Sequence, residues 1–381
     1  MIKRHKLLQS ILEALEVSPV VVLSGPRQCG KTTIAKIIAD QRQSDYFDLE
    51  DPTDLASLEP PMTKLKILQG LVIIDEVQRK PELFEILRVL ADRPDSNTKF
   101  LLLGSASFQL NKAVSETLAG RVGLIDMGGF DLEEIGFENF QKLWIKGSFP
   151  RSYLASSEKV SYKWRSDFTR TFLERDIPQL GITIPAQTLR RFWIMIAHYH
   201  GQIWNAAEFA RSLGRGEKAA RHYLDILTGS YMVRQLHPWH ENIKKRQVKS
   251  PKIFIRDSGL LHYLLSLENI DSVFSHPKLG ASWEGFGIEQ VLSILPIEEQ
   301  AWFWATHSGA EIDLMVFKGG KRLGFEFKYS DAPKLSKSIH IAIDNLNLDY
   351  LFVIYPGEKD FMMTDNVCAL PVTQLHKIVE I

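Results

Sequence analysis

The sequence predicts an α/β protein in several parts: a parallel sheet flanked by helices, a helical segment, a winged-helix-like segment and a C-terminal α/β domain. Three observations predict it. Short apolar, β-rich runs alternate with helical periods through the first 130 residues, the pattern of βαβ units. From about residue 131 the apolar spacing turns helical, as in Phe168, Phe172, Phe192, Trp193 and Ile196. After Gly280 a helix is followed by three strand-like runs, two of them joined by the turn Lys318-Gly319-Gly320-Lys321. The parts read as 1–130, 131–200, 201–260 and 261–381.

Taken in order, the stretch after Lys3-Arg4-His5-Lys6 is broken by Gln9, Ser10, Glu13 and Glu16, so it reads as an amphipathic helix and not a signal peptide. Strands are expected at Val20–Leu23, Asp45–Leu49, Leu71–Asp75, Lys99–Leu103 and Val122–Met127, with helices at Thr32–Asp40, Pro81–Ala91 and Ala106–Leu118. Helices at Ala206–Leu213 and Glu217–Leu227 flank Gly214, the layout of a helix-turn-helix. Extended runs at Tyr231–Trp239 and Lys249–Ile255 would add a wing. The last part opens with a helix at Trp283–Leu295, followed by runs at Gln300–Ala305, Glu311–Phe317 and Gly324–Tyr329.

Composition narrows the partners. Lys plus Arg equals Asp plus Glu at 46 each, so any nucleic-acid surface must be a local patch. Two cysteines, Cys29 and Cys368, build neither a disulfide framework nor a zinc site. No apolar run approaches the roughly 18 residues of a membrane span. A cytoplasmic protein that does not enter a membrane is the expectation.

Gly25-Pro26-Arg27-Gln28-Cys29-Gly30-Lys31-Thr32 matches G-x-x-x-x-G-K-[ST], between an apolar strand and a helix that continues with Thr33. This is the loop of a P-loop NTPase. Gly25 and Gly30 are expected to take positive φ, turning N–H groups inward around phosphates. Lys31 would meet the β- and γ-phosphates, and Thr32 would offer its hydroxyl to Mg²⁺. Cys29 occupies a free position of the motif and reads as a spacer. The strand Leu71–Ile74 ends in Asp75 and Glu76: Asp75 would order Mg²⁺, and Glu76 would deprotonate the attacking water. The expected ligands are therefore ATP and Mg²⁺. Ser105 either places the water or caps the next helix. Arg121 either reaches a γ-phosphate, in its own or a neighbouring subunit, or is an ordinary ion-pairing arginine. An oligomer stays open.

The P-loop, Tyr46-Phe47-Asp48-Leu49-Glu50, Ile73-Ile74-Asp75-Glu76-Val77-Gln78, Leu103-Gly104-Ser105-Ala106 and Leu118-Ala119-Gly120-Arg121 resemble the prokaryotic AAA-superfamily ATPases that carry a C-terminal domain of unknown function. Lys249-Ser250-Pro251-Lys252-Ile253-Phe254, Arg256-Asp257-Ser258-Gly259-Leu260-Leu261 and Gly309-Ala310-Glu311-Ile312-Asp313-Leu314 are similar to that domain. The resemblance spans nearly the whole chain and implies ATP binding. It departs at Met127-Gly128-Gly129-Phe130, where the family more often has proline.

Residues 201–260 carry eleven Lys/Arg against five Asp/Glu. Arg211, Arg215, Lys218, Arg221, Lys244, Lys245 and Arg246 are candidates for DNA phosphates. The competing reading makes this segment a nucleotide lid or a spacer. In the last part Asp313 lies on one strand and Glu326-Phe327-Lys328 on the next, with Glu326 and Lys328 on one face. Glu284 on the preceding helix completes the set. Glu284, Asp313 and Glu326 would hold a metal and Lys328 would position or activate water, an order that resembles the restriction-endonuclease-like fold. The alternative is a nuclease-derived scaffold whose charges pair with each other. Two functions follow: a DNA-directed ATPase with a nuclease domain, or a nucleotide-driven switch acting on a protein partner.

Overall fold

A computed structural model describes residues 2–94, 97–105, 116–243, 246–295 and 301–380. They form two units, Met1–Gly129 with Gly229–Tyr231, and Phe130–Thr228 with Met232–Ile381.

The first unit carries a five-stranded parallel sheet of β1 (Val20–Gly25), β2 (Ser44–Asp48), β3 (Leu71–Asp75), β4 (Lys99–Ser105) and β5 (Val122–Asp126). The order is β2-β3-β4-β1-β5. Side chains alternate between two apolar layers, which is why the central strands read as unbroken apolar runs. Val20, Val22, Val72, Ile74, Phe100 and Leu102 face one way, against Leu83, Leu87 and Leu90 of the helix Leu83–Ala91. Val21, Leu23, Ile73, Leu101 and Leu103 face the other, against Ile11 and Leu15 of the helix His5–Val17 and Ile34 and Ile38 of the helix Lys31–Ala39. The chain leaves β1, crosses to the far edge as β2, and returns through β3 and β4 to lie beside β1. That reversal brings the C-terminal ends of β1, β3 and β4 together, with Gly25 opposite Ser105. Ligands of open parallel sheets bind at such a point. Most of the helix expected at Ala106–Leu118 lies outside the described residues.

The second unit begins with helices. Phe168 and Phe172 stack at 6.2 Å, and Phe172 meets Trp193 at 5.2 Å, so the expected aromatic spacing forms a core. After the helix Ala186–His198 come β6 (Gln202–Ile203), the helices Ala206–Leu213 and Glu217–Gly229, β7 (Val233–Leu236) and β8 (Lys252–Ile255). The three strands form an antiparallel sheet ordered β6-β8-β7. Gly214 takes φ 62° between the two helices, as the tight turn requires.

The helix Leu279–Ile294 then leads into a mixed six-stranded sheet. Its strands are β9 (Ala301–Ala305), β10 (Glu311–Lys318), β11 (Lys321–Phe327), β12 (Tyr350–Tyr355), β13 (Phe361–Thr364) and β14 (Val367–Pro371), ordered β13-β14-β12-β11-β10-β9. The expected hairpin is β10–β11, turning at Gly319 and Gly320, both at positive φ. Among the described residues no helix is long and apolar enough to cross a membrane.

Candidate functional site

The P-loop occupies the end of β1 and the start of the helix Lys31–Ala39. Gly30 takes φ 105°, as expected, but Gly25 is not among the positive-φ residues. Gly25 is needed for a different reason: a Cβ there would lie 2.1 Å from the Met127 carbonyl oxygen. The second turn of the loop falls instead on Gln28, at φ 63°. Cys29 is buried, in keeping with a spacer, and Thr33 is exposed on the helix. The Arg4 guanidinium donates to the Gly129 carbonyl at 2.8 Å and the Gly128 carbonyl at 3.2 Å, fixing the turn beside Met127.

Lys31 is buried, its ammonium donating to the carbonyls of Gly25 at 3.0 Å and Pro26 at 2.9 Å. Thr32 Oγ1 donates to Asp75 Oδ2 at 2.7 Å, joining loop to strand across the sheet. Tyr46 on β2 donates its hydroxyl to the same oxygen at 2.7 Å. Asp75 Oδ1 accepts the Glu76 N–H at 2.9 Å. Asp75 is thus held at both oxygens. Glu76 sits at φ 55°, where the chain turns sharply out of β3, and Gln78 donates to its carboxylate. Burial pushes the Glu76 carboxyl above its ordinary range, opposed by Lys31 and the Gln78 hydrogen bond. That suits a base. Three buried polar atoms at this edge, Ser24 Oγ, Gln78 Oε1 and Ser105 Oγ, have no hydrogen-bond partner among the described residues. Orphaned polar atoms are costly in a fold and mark places where a ligand or water completes the bonding.

Arg121 is not part of this constellation in its own chain. Its carbonyl accepts the Val20 N–H, so it stands at the opposite end of β1, about 16 Å along the strand from the loop. Its guanidinium pairs with Asp92, at 2.8 Å from Nη2 to Oδ2. A residue just before a parallel strand lies at the wrong edge of the sheet for a phosphate in the same subunit.

A second cluster forms in the other unit, where Glu284, Asp313, Glu326 and Lys328 come together as expected. Lys328 pairs with Glu326 at 2.8 Å, and Asp313 Oδ2 accepts the Phe327 N–H at 3.0 Å. Two further residues enter. Glu311 joins Glu284 and Asp313, each offering an oxygen within 4.8 Å of the others. Lys252 of β8, 3% exposed, places its ammonium 3.0 Å from Glu284 and 3.6 Å from Asp313, and also pairs with Glu311. Burial opposes the Lys252 charge, but the attraction of Glu284, Asp313 and Glu311 outweighs it and raises its pKa. Burial, then the Asp313 charge, push Glu284 and Glu326 up to about 8. Two lysines, Lys252 and Lys328, therefore stand among four carboxylates, and burial raises the pKa of two of them. The Lys252 ammonium lies among the same oxygens, so a divalent ion there would compete with it.

Removing Lys252 leaves Glu284, Glu311 and Asp313 without the ammonium that pairs with them. Lys252→Met, which keeps the volume, should therefore destabilise the chain by about 3–5 kcal/mol in urea unfolding at neutral pH. A loss under about 1 kcal/mol would mean the ammonium is not the cluster's counter-charge. Because Glu284 and Glu326 bind protons more tightly folded than unfolded, the stability they contribute is present below about pH 4.5 and lost as pH rises through about 8.

On the helix pair, Arg211, Arg215, Lys218 and Arg221 are all exposed, as is Arg246 beyond β7. Arg221 lies 3.8 Å from Glu217. Lys244 and Lys245 lie outside the described residues.

Comparison with known proteins bears on both units. An AAA domain model matches residues 17–136, a domain of unknown function (DUF8612) residues 137–271, and another (DUF4143) residues 279–375. Uncharacterized proteins of Mycobacterium bovis and Mycobacterium tuberculosis are each 46% identical over 375 residues, covering 98% of this chain and 85% of the relative. Among solved structures, a Walker-type ATPase of Pyrococcus abyssi matches with TM-score 0.50 at 14% identity, covering 70% of this chain and 96% of that one. That likeness is one of fold.

Proposed function

The chain belongs to the family of these two mycobacterial proteins, with an AAA domain towards its N-terminus, and on that premise we propose that it hydrolyses ATP with Mg²⁺ and that DNA directs this hydrolysis. The observation that carries the ATPase reading is the 2.7 Å hydrogen bond from Thr32 to Asp75, which joins the phosphate loop to the carboxylate end of β3 beside Glu76. Thr32 and Asp75 would hold Mg²⁺, whose charge would offset that of the phosphates. Lys31 would exchange its loop carbonyls for phosphate oxygens, a stronger, charge-assisted contact. Glu76 takes the proton of the attacking water as that oxygen bonds to the γ-phosphorus and the bond to the leaving ADP oxygen breaks. Ser105 Oγ, with no partner among the described residues at the end of β4, is suited to hold the water or a γ-phosphate oxygen.

DNA direction is supported by the exposed Arg211, Arg215, Lys218 and Arg221 on a helix pair backed by the β6-β8-β7 sheet, a layout we read as a winged helix. ATP turnover should rise with duplex DNA and lose that stimulation steeply between low and moderate salt. Replacing Arg211, Arg215 and Lys218 together by Ala should flatten the dependence of log affinity on log salt by about 2–3. DNA that neither binds nor changes turnover at low salt would favour the other reading, a nucleotide-driven switch acting on a protein partner.

For the C-terminal domain, helix, hairpin and the convergence of Glu284, Asp313, Glu326 and Lys328 support a restriction-endonuclease-like fold. The Lys252 ammonium among its carboxylates supports an inactive version of it, with Lys328 pairing Glu326 instead of activating water. Mg²⁺-dependent DNA cleavage that survives in purified protein and disappears in Lys328→Ala would overturn the inactive reading.

A further inference from the structure

Hydrolysis of ATP leaves negative charge on the γ-phosphoryl oxygens, and enzymes of this kind commonly meet it with an arginine. The one the sequence suggested, Arg121, is at the far edge of the sheet. Another lies inside the loop. Arg27 is the third residue of the motif that begins at Gly25, and its guanidinium pairs with Glu50 Oε1 at 2.8 Å. Glu50 lies two residues beyond the end of β2, the strand that carries Tyr46 to Asp75. Arg79, four residues beyond Asp75, reaches the same Glu50 oxygen at 3.9 Å. The segment after β2 therefore bears on both halves of the site: Tyr46 on the metal carboxylate, Glu50 on the loop arginine.

Resting on the ATPase reading, we propose that Arg27 is the arginine that meets the γ-phosphate charge, acting within its own subunit, and that Glu50 is the anion it gives up when ATP binds. The exchange is favourable because a phosphate offers more charge and more acceptor oxygens than one half-exposed carboxylate, and a guanidinium's planar fork suits either. Placement supports the direction. Glu50 is 39% exposed, so its carboxylate is readily rehydrated when released, whereas the Arg27 side chain is only 17% exposed. A cation at the transferring phosphoryl group, where charge builds up as the bond to ADP breaks, contributes more in the transition state than in the bound substrate.

The test compares Arg27→Ala and Glu50→Gln in the full chain, reading steady-state ATP turnover, Mg·ADP affinity, and trapping of ADP by aluminium fluoride, a mimic of the transferring phosphoryl group. Arg27→Ala should bind Mg·ADP within about threefold of the parent yet turn over ATP at least about 100-fold more slowly and fail to trap ADP with aluminium fluoride. Glu50→Gln should bind ATP several-fold more tightly, its competitor for Arg27 being gone, and should still trap. Turnover per chain should not depend on protein concentration. Three results overturn the proposal: Arg27→Ala turning over within threefold of the parent; both variants losing turnover and trapping alike, which marks a structural tether; or turnover that rises with protein concentration and vanishes in Arg121→Ala, which assigns the role to a neighbour's arginine. Failure of the ATPase reading itself has another signature, wild-type protein that binds no ATP at all.

Discussion

Glu76→Gln is expected to bind ATP about as well as the parent and to hydrolyse it at least about 100-fold more slowly. An amide fills the same space and still accepts the hydrogen bond from Gln78, but it cannot take a proton from water, and a positioned base contributes roughly 10²–10⁴ in rate. The same residue is expected to set the acid side of the pH profile. As the proposed base Glu76 would work only when ionised, and burial raises its pKa, so turnover should fall with decreasing pH at values above those where an ordinary glutamate titrates. Turnover by Glu76→Gln at the parental rate would remove it as the base. An acid limb at the pKa of a free glutamate would remove the claim about burial.

Lys31→Ala is expected to weaken ATP binding by about 10- to 100-fold, the worth of charge-assisted bonds to phosphate at about 1.5–3 kcal/mol. The ammonium now caps the carbonyls of Gly25 and Pro26, so its loss also leaves those two acceptors to water. A thermal melt alongside the nucleotide titration separates a lost contact from a collapsed loop. Unchanged ATP affinity in a variant that melts normally would sink the assignment of the loop.

How much of this was legible depended on how local each signal was. The loop and the Asp75–Glu76 strand end could be read because their chemistry sits within eight and six residues, in an order that only a strand–loop–helix and a buried strand produce. The role of Gly25 could not, because the backbone that crowds it belongs to Met127, about a hundred residues on. Tyr46 was visible in the Tyr46–Glu50 stretch, but its bond to Asp75 depends on β2 pairing with β3, a long-range choice. Arg121 carried a usable signal: standing immediately before β5, it had to lie at the N-terminal edge of a parallel sheet. Glu311 was within reach too, since i, i+2 spacing on a strand puts it on the face of Asp313. Lys252 was hidden. It sits in a basic stretch that reads as a nucleic-acid surface, and only β8, buried beside the helix that bears Glu284, turns it into a counter-ion.

The measurement that tests the central claim most directly is release of inorganic phosphate from ATP by the full chain, with Mg²⁺ and then with EDTA, beside Glu76→Gln prepared identically. The account predicts turnover with Mg²⁺, none with EDTA, and almost none in Glu76→Gln, although that variant still binds ATP. Phosphate release that is insensitive to EDTA, or equal in parent and variant, would contradict it.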